Sequence, residues 1–222
     1  MLSRNIKSIS KLLGYVLMYG VFLTLLPTFW RCGNPNATEH IVLRDDSTRI
    51  VREYDVLKGT KVKHGKLTVK DFDGKMYEES NFDHGKLSGV QKLYTKGKLY
   101  SIAHFKDSII HGLYTSYHIE TGEPYVIGNY NMGVMEGKWK TYTNQGKLKE
   151  IVTFKNNEEN GPFVEFWPNG KIKAEGEYLN GDNENGLLYL YSPNGVLYKK
   201  MECKEGNCHT IWEKGKEEKK GL

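Results

Sequence analysis

Residues 161–181 read GPFVEFWPNGKIKAEGEYLNG, and the stretch that begins at Gly186 reads GLLYLYSPNGVLY. In both, Pro-Asn-Gly follows a short apolar and aromatic run. Proline presets φ, asparagine tolerates the bend and glycine supplies left-handed backbone, so each Pro-Asn-Gly marks a β-hairpin loop. The flanking runs are then the two strands of one hairpin.

The same arrangement recurs outward from this stretch. Gly65, Gly89, Gly112, Gly137, Gly161 and Gly186 open successive units, 24, 23, 25, 24 and 25 residues apart. A turn glycine follows each after eight to ten residues: Gly74, Gly97, Gly122, Gly146, Gly170 and Gly195. Eight residues beyond each turn glycine stands Phe82, Phe105, Tyr130, Phe154, Tyr178 or Cys203, and this interval never varies. Loops tolerate a change of length, whereas a one-residue slip within a strand turns every later side chain to the other face. A constant interval at this scale is the signature of stacked repeats.

Alternation within the second strand assigns its faces. Position two after the turn glycine is Met76, Leu99, Pro124, Leu148, Ile172 or Leu197, and position six is Ser80, Ala103, Gly128, Val152, Gly176 or Met201. These even positions predict a packed face with small residues at its middle. Position seven is Asn81, His104, Asn129, Thr153, Glu177 or Glu202, which predicts a wet opposite face. In the first strand an aromatic stands five after the opening glycine: Tyr94, Tyr117, Tyr142, Phe166 and Tyr191, with Lys70 as the exception. Aromatics stacked on adjacent strands are expected to bind the units together. One hairpin is marginal alone, and six in register can fold.

The expected fold is therefore all-β, an elongated single-layer antiparallel meander of about six hairpin repeats over 46–210. A degenerate unit from Asp46 to Tyr54 would cap it, and residues 211–222 would form a polar tail. Hydrophobic residues make up only 38% of the 222, against 15 Tyr and 24 Gly, a balance that suits a thin, turn-rich sheet better than a thick core. The net charge of +5 is spread along the chain without a basic block, which argues against a nucleic-acid partner.

Ahead of the repeats, Arg4, Lys7 and Lys11 precede nineteen uncharged residues, Leu12 to Trp30, which Arg31 closes. That length suits one hydrophobic helix across a bilayer, and the cationic flank would stay in the cytoplasm. Residues 1–31 are read as a signal-anchor or transmembrane segment and 32–45 as a linker, with the repeats extracytoplasmic. Export after signal cleavage, or a lipoprotein modified at Cys32, are the alternatives.

The opening glycine, the aromatic at five, the Asn-Gly turn and the aromatic eight later resemble the MORN repeat in its bacterial variant form, and the YwqK-type proteins often labelled antitoxins. The resemblance spans about Asp46 to Cys208. It implies a curved β-meander with membrane-associated or protein-binding roles. Lys70, Cys203 and Pro124 depart from the pattern.

Little here promises catalysis. No nucleophile elbow, phosphate loop or paired-carboxylate signature occurs, so the chain is read as no enzyme, with no catalytic residues and no cofactor. Glu158, Glu159, Asp182 and Glu184 are read as solvated loop carboxylates. His64, His84 and His111 are assigned to turns between hairpins, in different units and without a His-x-His pair, so no metal is expected. Cys203, Cys208 and His209 form C-x4-C-H, open to a disulfide, free thiols or a metal. The contact surface expected for a protein or envelope partner is Tyr77, Tyr100, Tyr125 and Tyr198, three after their turn glycines, where Lys149 and Lys173 hold the equivalent places. The other reading is lipid head-group binding through Lys75, Lys98, Lys147 and Lys171 at the hairpin tips.

Overall fold

A computed structural model describes residues 34–216. Its strands are β1 (Thr38–Asp45), β2 (Ile50–Leu57), β3 (Lys63–Asp71), β4 (Met76–Asp83), β5 (Lys86–Leu87), β6 (Gly89–Thr95), β7 (Lys98–Lys106) and β8 (Ile109–Tyr117). They continue as β9 (Pro124–Asn131), β10 (Val134–Tyr142), β11 (Leu148–Lys155), β12 (Glu158–Phe166), β13 (Ile172–Tyr178), β14 (Gly186–Tyr191), β15 (Leu197–Lys204) and β16 (Asn207–Glu213). All sixteen form one antiparallel sheet in chain order, except that the two-residue β5 pairs only with β4. The hydrophobic segment from Leu12 to Trp30 lies outside the described residues. Among those described, no helix is long and apolar enough to cross a membrane.

Six glycine-marked hairpins are present, and a seventh precedes them. β1 and β2 pair from Thr38↔Leu57 to Asp45↔Ile50, so the expected linker 32–45 already contains a strand. The sequence concealed the first strand of this unit because its turn has no glycine. The Asp45 carboxylate instead accepts from the Ser47 and Thr48 amides and the Ser47 hydroxyl, and these bonds, the hydroxyls foremost, hold its pKa down at about 2. The expected cap, Asp46 to Tyr54, was two residues out of step, since the second strand runs on to a buried Val56. At the other end β16 takes in Ile211 and Trp212, which moves them from the expected tail into the sheet.

The packed stripe is narrower than the even positions suggested. Position six is buried at Ser80, Ala103, Gly128 and Val152, while position two is only half-buried throughout. The residue that faces position six is the second after each opening glycine: Leu67↔Ser80, Gln91↔Ala103, Tyr114↔Gly128, Trp139↔Val152, Phe163↔Gly176 and Leu188↔Met201. Large residues there require small ones nearby. A Cβ on Gly128 would lie 2.0 Å from Trp139 Cδ2, and one on Gly176 would lie 3.1 Å from Phe163 Cε1 and 3.3 Å from Leu188 Cδ1.

Aromatic stacking also runs along this stripe and not along the position-five row. Tyr130 meets Trp139 edge-on at 5.1 Å, and Phe163 stacks on Tyr178 at 4.1 Å. The position-eight aromatics Tyr130 and Tyr178 thus lock onto the second residue after an opening glycine.

The opening glycines sit at β-bulges. Gly161, at φ 117°, lies where the β11–β12 register shifts between Val152 and Phe154, a left-handed backbone that suits glycine. Position seven of the preceding strand fills the gap: Thr153 Oγ1 donates to the Pro162 carbonyl at 2.8 Å, Asn81 Nδ2 to that of Val90 at 3.1 Å, and the His104 ring bonds that of Leu113 at 2.8 Å. These residues were read as simply wet, and they are polar because the bulge presents a free carbonyl. Pro124 fits as the first residue of its strand.

Candidate binding face

Tyr77, Tyr100, Tyr125 and Tyr198 stand one, three or five residues from the buried positions of their strands, so alternation turns them to the opposite side of the sheet. They are 38, 44, 47 and 39% exposed. Tyr77, Tyr100 and Tyr125 fall on β4, β7 and β9, two strands apart in each case, which separates neighbours by about 10 Å. Six strand spacings separate Tyr125 from Tyr198, with Lys149 and Lys173 on the intervening rungs. The row is therefore a three-tyrosine patch, a two-lysine step and a single tyrosine. His118 packs against Tyr125 at 4.8 Å, and its Nε2 bonds the Tyr142 carbonyl at 3.0 Å.

Carboxylates steady this face through the position-five row. Tyr94 Oη donates to Glu79 at 2.5 Å, and Tyr191 Oη donates to Glu175 at 2.5 Å. Burial, and then the Glu79 carboxylate, push the Tyr94 hydroxyl up to about 12; the Glu175 bond, and then burial, do the same for Tyr191. The Tyr94 hydroxyl in turn holds Glu79 below the usual carboxylate range. Lys70 occupies the corresponding place in the first unit, with Nζ 2.9 Å from Glu53, whose pKa it lowers. The missing aromatic is thus replaced by an ion pair to the same strand position.

The turn lysines have neighbours of their own. Lys171 Nζ donates to the Asn194 carbonyl at 2.7 Å, Lys98 Nζ to that of Glu120 at 3.3 Å, and the Lys75 stem lies against Gly97. Each of the three reaches across the following hairpin loop. Lys147 is exposed.

Cys203 and Cys208 face one another across β15 and β16 and are joined, Sγ to Sγ, at 1.99 Å. Cys203 packs into the apolar cluster with Leu188 and Met201, so the eighth position keeps its buried role without an aromatic. Glu158 and Glu159 lie in β12 and not in a loop. Burial, and then the charge of Glu150, raise the Glu159 pKa.

Of the three histidines assigned to turns, only His84 is in one; His64 lies in β3 and His111 in β8. Register brings His64, Asp83 and His84 together, with one potential ligand atom of each within 4.8 Å of the others. Sequence reasoning missed this meeting because Asp83 and His84 fall about twenty residues after His64. Only the pairing Gly65↔Phe82 makes them neighbours.

The model of the MORN repeat variant matches residues 135–156 and 159–180. These stretches take in most of β10 and β11, and most of β12 with β13. No curated protein matches the chain.

Proposed function

We propose that the chain is a non-catalytic binding scaffold, anchored to a membrane by its N-terminal segment, that offers the tyrosine side of an extracytoplasmic sheet to a protein partner of the cell envelope. MORN repeats are in general protein- or membrane-binding modules, which supports the class. The observation that carries the choice of face is the evenly spaced exposure of Tyr77, Tyr100 and Tyr125. Tyrosine offers a large, stiff contact area at low entropic cost and is enriched at interfaces. The sheet holds its own shape around these rings, so little order would be lost on binding.

Lipid head-group binding has less support, since the ammonium groups of Lys98 and Lys171 already donate to carbonyls of the next loop. The antitoxin label attached to YwqK-type proteins adds no partner: a cytosolic toxin would have to be met in the cytosol, and the segment from Leu12 to Trp30 argues for export.

The test replaces Tyr77, Tyr100 and Tyr125 with Ser in the full-length protein and compares crosslinked partners in intact cells, with protease shaving to report the exposed side. Loss of the crosslinked species with unchanged folding supports the reading. Undiminished crosslinking removes the tyrosine face from it, and protection of the repeats from external protease removes the topology.

A further inference from the structure

The geometry points to His64, Asp83 and His84 as a surface site for one divalent transition-metal ion of zinc-like character. His64 Nδ1 lies 3.3 Å from Asp83 Oδ1, and His84 Nδ1 lies 2.6 Å from the same oxygen. The two imidazoles meet edge-on with centroids 4.8 Å apart. A tetrahedral zinc ion with bonds of about 2.0–2.1 Å holds neighbouring ligand atoms about 3.3 Å apart. The His64 to Asp83 spacing meets that requirement, and a small opening on the His84 side completes it. Two imidazoles and one carboxylate suit zinc, nickel or copper, whereas magnesium and calcium take all-oxygen sets. Asp83 and His84 are more than half exposed and His64 about one-fifth, so an ion can enter and retain water in its open positions.

The repeats supply an internal control. His64 precedes an opening glycine, and its Nδ1 accepts from the backbone amide of His84, the first residue of a two-residue turn, at 3.3 Å. In later units His111 accepts from Met132 at 3.2 Å and Glu136 accepts from Asn156 at 3.1 Å. The turn thus uses at most one acceptor: Met132 and Asn156 stand where His84 does, and Asn131 and Lys155 stand where Asp83 does. The fold accounts for His64 and leaves Asp83 and His84 unexplained. Metal binding would take the His64 lone pair from the amide of His84, a turn residue that is itself exposed to water.

The experiment is titration of the full-length, disulfide-intact protein with Zn2+ by calorimetry, with Mg2+ as the comparison. The variants are His84→Asn, which keeps a side chain tolerant of left-handed backbone, Asp83→Asn, and His111→Gln as a control. One zinc equivalent is expected, lost or weakened about tenfold or more in His84→Asn and Asp83→Asn, retained in His111→Gln, and absent with Mg2+. Absence of zinc binding at millimolar metal, or an isotherm that neither site variant alters, overturns the assignment.

Discussion

Two lengths of the same sheet are held together differently. Between β10 and β15 the buried stripe is apolar, with Val152, Phe163, Ala174, Leu188 and Cys203 in one cluster, flanked by Phe154, Tyr178, Leu190 and Met201. Between β4 and β8 it is substantially polar, with Ser80, Ser101 and Ser116 all buried. Ser80, only 1% exposed, donates to Glu78 at 2.5 Å, and Gln91 Nε2 lies 3.1 Å from Glu78 and 3.2 Å from Ser80. Yet the pairing register within the hairpins is alike in both regions, with the second residue after the opening glycine opposite position six. The comparison teaches that backbone pairing defines the repeat, and that the stripe accepts either close apolar packing or a small network whose polar members satisfy one another.

The difference between the regions can be broken at its strongest point first. Phe163→Ala should cost about 3–5 kcal/mol in urea denaturation, because the ring is stacked on Tyr178 and enclosed by Gly176 and Leu188. A loss below about 1 kcal/mol would mean that the apolar stripe does not hold the C-terminal repeats together. In the polar region Ser80→Ala should cost about 1–3 kcal/mol, since Glu78 and Gln91 lose a partner in a buried place. Replacing Glu78, Ser80 and Gln91 together with Met, Ala and Leu should recover most of that loss. Failure to recover would show that the network contributes more than mutual satisfaction.

A smaller effect separates the regions by pH. Burial first, and then the charge of Glu165, raise the Glu150 pKa; burial first raises that of Glu159 as well. Carboxyls raised in the folded state bind protons more readily there, so the C-terminal repeats should gain stability as pH falls from neutral toward the ordinary glutamate value of 4.5. Glu53 and Glu79 are lowered, by Lys70 and by Tyr94 respectively, so their contribution persists above 4.5 and is lost as pH falls below it, through their folded values. Hydrogen exchange corrected for intrinsic rates should show protection rising in β11 and β12 over the upper window and falling in β2 to β6 over the lower one. Glu150→Gln should flatten the rise, and parallel behaviour of the two regions would contradict the assignment. Strands that touch mainly their neighbours allow the regions to respond separately.

Much of the fold was legible because its rule is local. The invariant interval from Gly170 to Tyr178, repeated from Gly74 to Phe82, is a statement about strand register, and register is written in consecutive residues. The first strand of the leading hairpin escaped notice because Asp45 does the work of a turn glycine, and the cluster at His64 because its members lie on one strand and at the end of the next.

The amino-acid sequence by itself determined the repeat length, the hairpin turns, the alternation of the second strands and the solvent side on which the four tyrosines fall, since all of these follow from spacing along one chain. Only the tertiary structure decided that Phe163 faces Gly176, that Lys70 replaces a tyrosine by reaching Glu53, that position seven closes a bulge, and that two histidines and an aspartate converge. Each of these depends on which residue of one strand lies opposite which residue of the next. A bulge shifts that pairing by a residue or more, and the opening glycine that marks its place does not say which residues then lie opposite one another.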